Sequence, residues 1–160
     1  HYADQYRNFA EFVRSPQQPR IVKVASGPNA DDYKWTEVLM ERARDQMDAL
    51  SLHYYTITTG NWDAKGSATN FDEKLWMETL VQARRMEEIV ARHATIMDRY
   101  DPKKRVALYV DEWGVWHDVE PGTNPGFLYQ QNSLRDAMVA SGWIAEGYGP
   151  DAVAMCTEQQ

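Results

Sequence analysis

The chain has 160 residues, a formal net charge of −7 and a sequence pI of about 5.0. That length suits one well-buried domain and is short for two, the acidic balance argues against nucleic acid as main partner because phosphate contacts need clustered Lys and Arg, and no apolar run approaches the roughly 18 residues of a membrane span. A single cysteine, Cys156, excludes an internal disulfide framework, and the scattered His1, His53, His93 and His117 form no zinc spacing, so neither metal nor cofactor is expected.

Taken in chain order, Tyr2, Tyr6, Phe9, Ala10 and Val13 repeat at three- and four-residue steps and predict a helix from Tyr2 to Arg14, ended by Ser15-Pro16 and Pro19. Ile21 to Ala25 is a β-branched run closed by Ser26-Gly27-Pro28-Asn29 and reads as a buried strand. Trp35, Val38, Leu39, Arg42 and Ala43 predict a helix over 33–46, and Ala49 to Tyr55 a second strand. A polar loop from Thr56 to Thr69 follows. Asn70 as N-cap with Glu73 at N3 then opens one long helix, whose apolar face runs through Trp76, Leu80, Ala83, Met86, Val90, His93, Met97 and Tyr100 before Asp101-Pro102. Val106 to Val110 is a third strand running straight into Asp111-Glu112-Trp113-Gly114. A Pro- and Gly-rich loop precedes a last helix from about Leu128 to Val139. Short apolar strands alternating with helices predict an α/β fold of parallel βα units, either a doubly wound sheet or part of a (β/α) barrel.

In such folds chemistry gathers at the C-terminal ends of the strands. One strand ends in His53, Tyr54 and Tyr55, the other in Asp111, Glu112 and Trp113 with Trp116 close behind. A strand-end carboxylate can stabilise an oxocarbenium-like transition state, and six Trp and nine Tyr can supply an aromatic wall for a sugar ring. On pattern alone Asp111-Glu112 reads equally as an exposed acidic turn or a helix N-terminal charge, and His53 as a hydrogen-bonded core or strand-end histidine. His93 reads as core, His117 and Glu120 as loop residues, and Arg84-Arg85 with Glu87-Glu88 as a solvated face.

Four stretches carry a resemblance: Ser51-Leu52-His53-Tyr54-Tyr55, the run Lys65 to Asp72 (KGSATNFD), Val110 to Trp116 (VDEWGVW), and Asp118 to Asn132 (DVEPGTNPGFLYQQN). They resemble bacterial α-L-arabinofuranosidases of glycoside hydrolase family fifty-one, over a match running from about Tyr2 to Val139. The resemblance implies that residues 1–160 are the C-terminal half of a (β/α)8 TIM barrel, roughly strands five to eight, with the family's C-terminal β-sandwich absent. It implies Glu112 as nucleophile, His53, Tyr55 and Trp116 as substrate-binding residues, and Gln160 on the family's sugar-binding Gln. The family's acid/base Glu follows an Asn, and no Asn-Glu occurs in the chain, so that group should lie before residue 1. The segment Ser141 to Pro150 departs from the family, whereas Asp151 to Cys156 returns to its eighth strand.

The implied reaction is a retaining hydrolysis of terminal α-L-arabinofuranosyl residues from hemicellulose or arabinan, without cofactor. The implied setting is a cytoplasmic homo-oligomer in the intact enzyme. Half a barrel has open sheet edges, so the resemblance predicts an isolated chain that is poorly folded or self-associating and has little or no activity. Two other readings remain open from the sequence. One is a related barrel glycosidase such as an endoglucanase, and the other is a non-catalytic carbohydrate-binding half-barrel.

Overall fold

The computed structural model describes residues 1–17, 20–124 and 130–145. Three parallel strands, β1 (Val24–Ala25), β2 (Ala49–Thr56) and β3 (Ala107–Val115), form one sheet in that order. Between and around them lie α1 (Tyr2–Ala10), α2 (Tyr33–Ala43) with a 3-10 turn over Arg44–Gln46, α3 (Glu73–Ala83), α4 (Arg85–Tyr100) and α5 (Leu134–Ala145). The expected parallel α/β alternation is the observed architecture.

The helices bury one face of the sheet in two clusters. Ala3, Leu39, Met40, Ala43, Leu50 and Met97 fill the first. Leu52, Tyr54, Met86, Ile89, Val110, Trp113, Val115 and Trp143 fill the second. Along β2, Leu50, Leu52 and Tyr54 point into this core, so the intervening Ser51, His53 and Tyr55 share the opposite face. The core face thereby leaves a polar and aromatic face at the ends of β2 and β3.

Several boundaries differ from those the sequence predicts, each for a visible reason. The first strand shrinks to two residues because Asp48 occupies its upstream pairing positions: Lys23 N–H donates to Asp48 Oδ2 at 2.9 Å, and Lys23 O accepts from Asp48 and Ala49 N–H. The first helix ends at Ala10, leaving Phe12 and Val13 exposed. The α3 N-cap is Asp72, whose carboxylate accepts from Leu75 N–H at 2.9 Å, and not Asn70. The single long helix breaks at Arg84. There the Gln82 carbonyl accepts from Tyr54 Oη at 2.6 Å and the Ala83 carbonyl from Trp143 Nε1 at 2.9 Å, which takes both out of the helical ladder.

The last helix starts at Leu134, and residues 130–133 of the expected helix lie outside it, because Ser133 N–H and hydroxyl both donate to Asp136 Oδ2, closing a cap at that point. The anticipated strand over 151–156 and Gln160 lie outside the described residues. Among the described residues no helix is long and apolar enough to cross a membrane.

Candidate active site

The pairing of β2 with β3 shifts register at one point. Leu52 lies opposite Val110, but His53 lies opposite Glu112, so Asp111 is an extra residue bulged into β3. The bulge changes which side chains share a face. Val110, Trp113 and Val115 all reach the core, whereas Asp111 and Glu112, adjacent in sequence, both turn to the face of His53 and Tyr55.

On that face the Glu112 carboxylate is held at both oxygens. Tyr55 Oη donates to Oε1 at 2.8 Å, and His53 Nδ1 lies 3.0 Å from Oε2. A carboxylate oxygen only accepts, so His53 meets it with a protonated Nδ1. His53 Nε2 faces Ser51 Oγ at 3.0 Å and Asp111 Oδ1 at 3.3 Å. Ser51 Oγ in turn accepts from Gly27 N–H at 3.1 Å. The approach of Gly27 to β2 is so close that a Cβ there would sit 1.5 Å from the Ser51 carbonyl oxygen, which restricts the position to glycine.

Burial pushes the Asp111 carboxyl above its usual range, against the opposing pull of His53 and Ser51. Burial also raises the Tyr55 phenol, and its hydrogen bond to Glu112 adds to the rise. Tyr55 therefore stays a donor throughout the working pH range.

Aromatic rings wall one side. Trp116 N–H donates to Thr56 O at 3.0 Å, which sets the indole edge-on to Tyr55 with centroids 4.9 Å apart. Trp62, from the loop after β2, meets Trp116 edge-on at 5.4 Å and remains about half exposed.

Behind Trp116 lies a polar network that sequence reasoning missed. His117, expected in a loop, is buried and lies 2.9 Å from Asp136 Oδ1, with the Arg135 guanidinium 3.1 Å from its Nε2 and 3.8 Å above the Phe71 ring. Glu120 accepts from Ser67 Oγ and from the Ala68 and Thr69 N–H groups, while Asp118 accepts from Lys65 and Gly66 N–H. These carboxylates strap the loop after β2 to the end of β3. The signal for the strap was the pair of carboxylates at Asp118 and Glu120 just after Trp116.

The structure thus gathers four of the five anticipated residues, His53, Tyr55, Glu112 and Trp116, while Gln160 lies outside the described residues. Among the described residues no cluster of three or more His, Cys, Asp or Glu side chains is arranged to hold a metal ion.

Comparison with known proteins places this geometry. The family described as "Alpha-L-arabinofuranosidase C-terminal domain" matches residues 111–146. An intracellular exo-α-L-arabinofuranosidase of Bacteroides ovatus is 51% identical over 142 residues, covering 88% of this chain and 27% of that protein. The crystal structure of the GH51 arabinofuranosidase from Xanthomonas axonopodis pv. citri superposes with a TM-score of 0.91 at 51% identity, over 99% of this chain and 32% of the other. An arabinose complex of the Thermotoga maritima α-L-arabinofuranosidase shares the fold, with a TM-score of 0.72 at 23% identity over 99% of this chain and 29% of that one. Fold and sequence together relate the chain to the C-terminal part of the family 51 α-L-arabinofuranosidases, of whose length it spans about a third or less.

Proposed function

We propose that this chain carries the nucleophile half of a retaining α-L-arabinofuranosidase site, acting on terminal arabinofuranosyl residues of hemicellulose or arabinan. The observation that carries the reading is the Glu112 carboxylate, fixed at one oxygen by Tyr55 and at the other by His53, beside the Trp116 ring. Two-point holding restricts rotation of the carboxylate and aims one oxygen at an anomeric carbon seated on the open face.

In the proposed reaction Glu112 attacks that carbon, forming a glycosyl ester as the bond to the leaving oxygen breaks. The leaving oxygen takes its proton from a second carboxylic acid, which then, as a base, directs water onto the ester and regenerates Glu112 with net retention. That second group belongs to the part of the longer relatives that this chain does not span, consistent with the absence of Asn-Glu from its sequence. The sheet is then one half of a (β/α)8 barrel whose open face is completed by the remaining strands. Tyr55, Trp116 and Trp62 would pack against the apolar face of the sugar, and Gln160 would hydrogen-bond it. An intracellular setting and a homo-oligomeric whole enzyme complete the reading, the first taken from the name of the Bacteroides relative.

The test is release of p-nitrophenol from p-nitrophenyl α-L-arabinofuranoside, a substrate whose good leaving group least needs an acid in the first step, with Glu112→Ala as control. Release abolished by Glu112→Ala supports the nucleophile. Release that survives the substitution overturns it, and binding of arabinosides without release, unaffected by Glu112→Ala, favours a non-catalytic sugar-binding role.

A further inference from the structure

His93 is fully buried on α4, on the far side of the sheet from the open face, and both ring nitrogens are engaged. Nε2 lies 2.7 Å from the Ala30 carbonyl oxygen and Nδ1 lies 2.8 Å from Thr36 Oγ1. The carbonyl only accepts, so Nε2 carries the proton and the Thr36 hydroxyl donates to Nδ1. Tyr33 packs over the ring at 4.7 Å.

What Nε2 holds is an unusual residue. Ala30 sits at φ 49°, in the left-handed region that a side chain disfavours, so the local backbone does not prefer this conformation by itself. In that conformation Ala30 N–H donates to His53 O at 2.7 Å, while His53 N–H donates to Pro28 O at 3.1 Å. Asn29 and His53 form a parallel bridge beyond the end of β1. The Pro28–Ala30 turn therefore grips His53 on both its backbone groups, at the register shift where the β2 backbone gains least from its ladder with β3. His53 is also the residue whose imidazole holds Glu112.

We infer that His93 is a positioning residue of the site: its Nε2–H clamps Ala30, and Ala30 fixes the His53 backbone so that the imidazole meets Glu112. Its importance for turnover rests on the reading of Glu112 as nucleophile; the contact chain itself does not.

The experiment compares His93→Gln with His93→Asn in this chain. Nuclear magnetic resonance reads two signals, the exchange rate of the Ala30 amide and the long-range proton–nitrogen correlations of the His53 ring, which report its tautomer. A glutamine amide reaches the Nε2 position and keeps a donor on Ala30. An asparagine amide stops near Nδ1, keeps Thr36 and loses Ala30. The expected result is Ala30 exchange at the unsubstituted rate in His93→Gln and about tenfold faster in His93→Asn, with loss of the His53 Nδ1–H signal in the latter. Thr36→Val disturbs the same core at the other ring nitrogen and should leave both signals unchanged. Equal exchange rates in the Gln and Asn variants, or the same loss in Thr36→Val, would overturn the assignment. Neither signal needs turnover, so failure of Glu112 as nucleophile would appear in the p-nitrophenol assay and not here.

Discussion

Tyr55 and Glu112, 57 positions apart in the chain, meet through a 2.8 Å hydrogen bond that spans two adjacent strands, because the bulge at Asp111 sets Glu112 opposite His53 and one step from Tyr55. The bond joins the expected nucleophile to the aromatic wall, since the same Tyr55 ring lies edge-on to Trp116. One side chain thus makes both the Glu112 hydrogen bond and the Trp116 ring contact.

Removing the hydroxyl alone separates those two contacts. Tyr55→Phe keeps the ring against Trp116 and deletes a hydrogen bond to a charged group, worth about 1.5–3 kcal/mol. Glu112-dependent release of p-nitrophenol should fall roughly ten- to hundredfold at a temperature where the variant is still folded, the lost bond lowering the thermal midpoint by only several degrees. A midpoint lowered into the assay temperature would instead make Tyr55 a packing residue.

The break between α3 and α4 depends on donors from elsewhere in the chain. Trp143→Phe leaves the buried Ala83 carbonyl without its 2.9 Å donor and should cost about 1–3 kcal/mol. A urea titration checks this through a lower midpoint with unchanged slope. An unaltered midpoint would mean that the Ala83 carbonyl regains a helical partner, and that α3 and α4 then run on as the single helix their sequence pattern predicts.

Stability should also carry the signature of His93. Burial holds its imidazole below the ordinary range, against the Ala30 carbonyl and the nearby Asp32 and Asp31, which favour the charged ring. An unfolded histidine titrates near about 6.5. Below that pH the unfolded chain takes a proton that folded His93 refuses, so this group's contribution to stability is intact above about pH 6.5 and declines as pH falls toward its lower folded value. Thermal midpoints measured from pH 7.5 to 5 should slope downward on acidification, and His93→Gln should flatten that slope. A slope identical in the variant would assign the effect to other groups.

Much of this was open to sequence reading. Short apolar runs bounded by Gly27-Pro28 and by Asp101-Pro102 marked the strands and helices because turn chemistry acts locally. His53 and Tyr55 share a face simply through two-residue alternation. The helix break was not legible, since the apolar period runs unbroken from Trp76 to Tyr100 and the cause lies in Tyr54 and Trp143. The burial of His117 was hidden for the same reason: its partners Arg135 and Asp136 arrive from the last helix. The bulge did leave a trace. Leu108, Val110, Trp113 and Val115 are spaced by two, three and two, and the odd interval marks the extra residue.

That extra residue has a consequence for how β3 can change in length. Dropping Asp111 would restore strict alternation, with Glu112 still on the open face and Trp113 still in the core. Dropping Glu112 would restore the same alternation, with Asp111 in its place on the open face and Trp113 still in the core. The register of β3 therefore tolerates loss of either carboxylate, and only the different contacts of the two side chains set them apart.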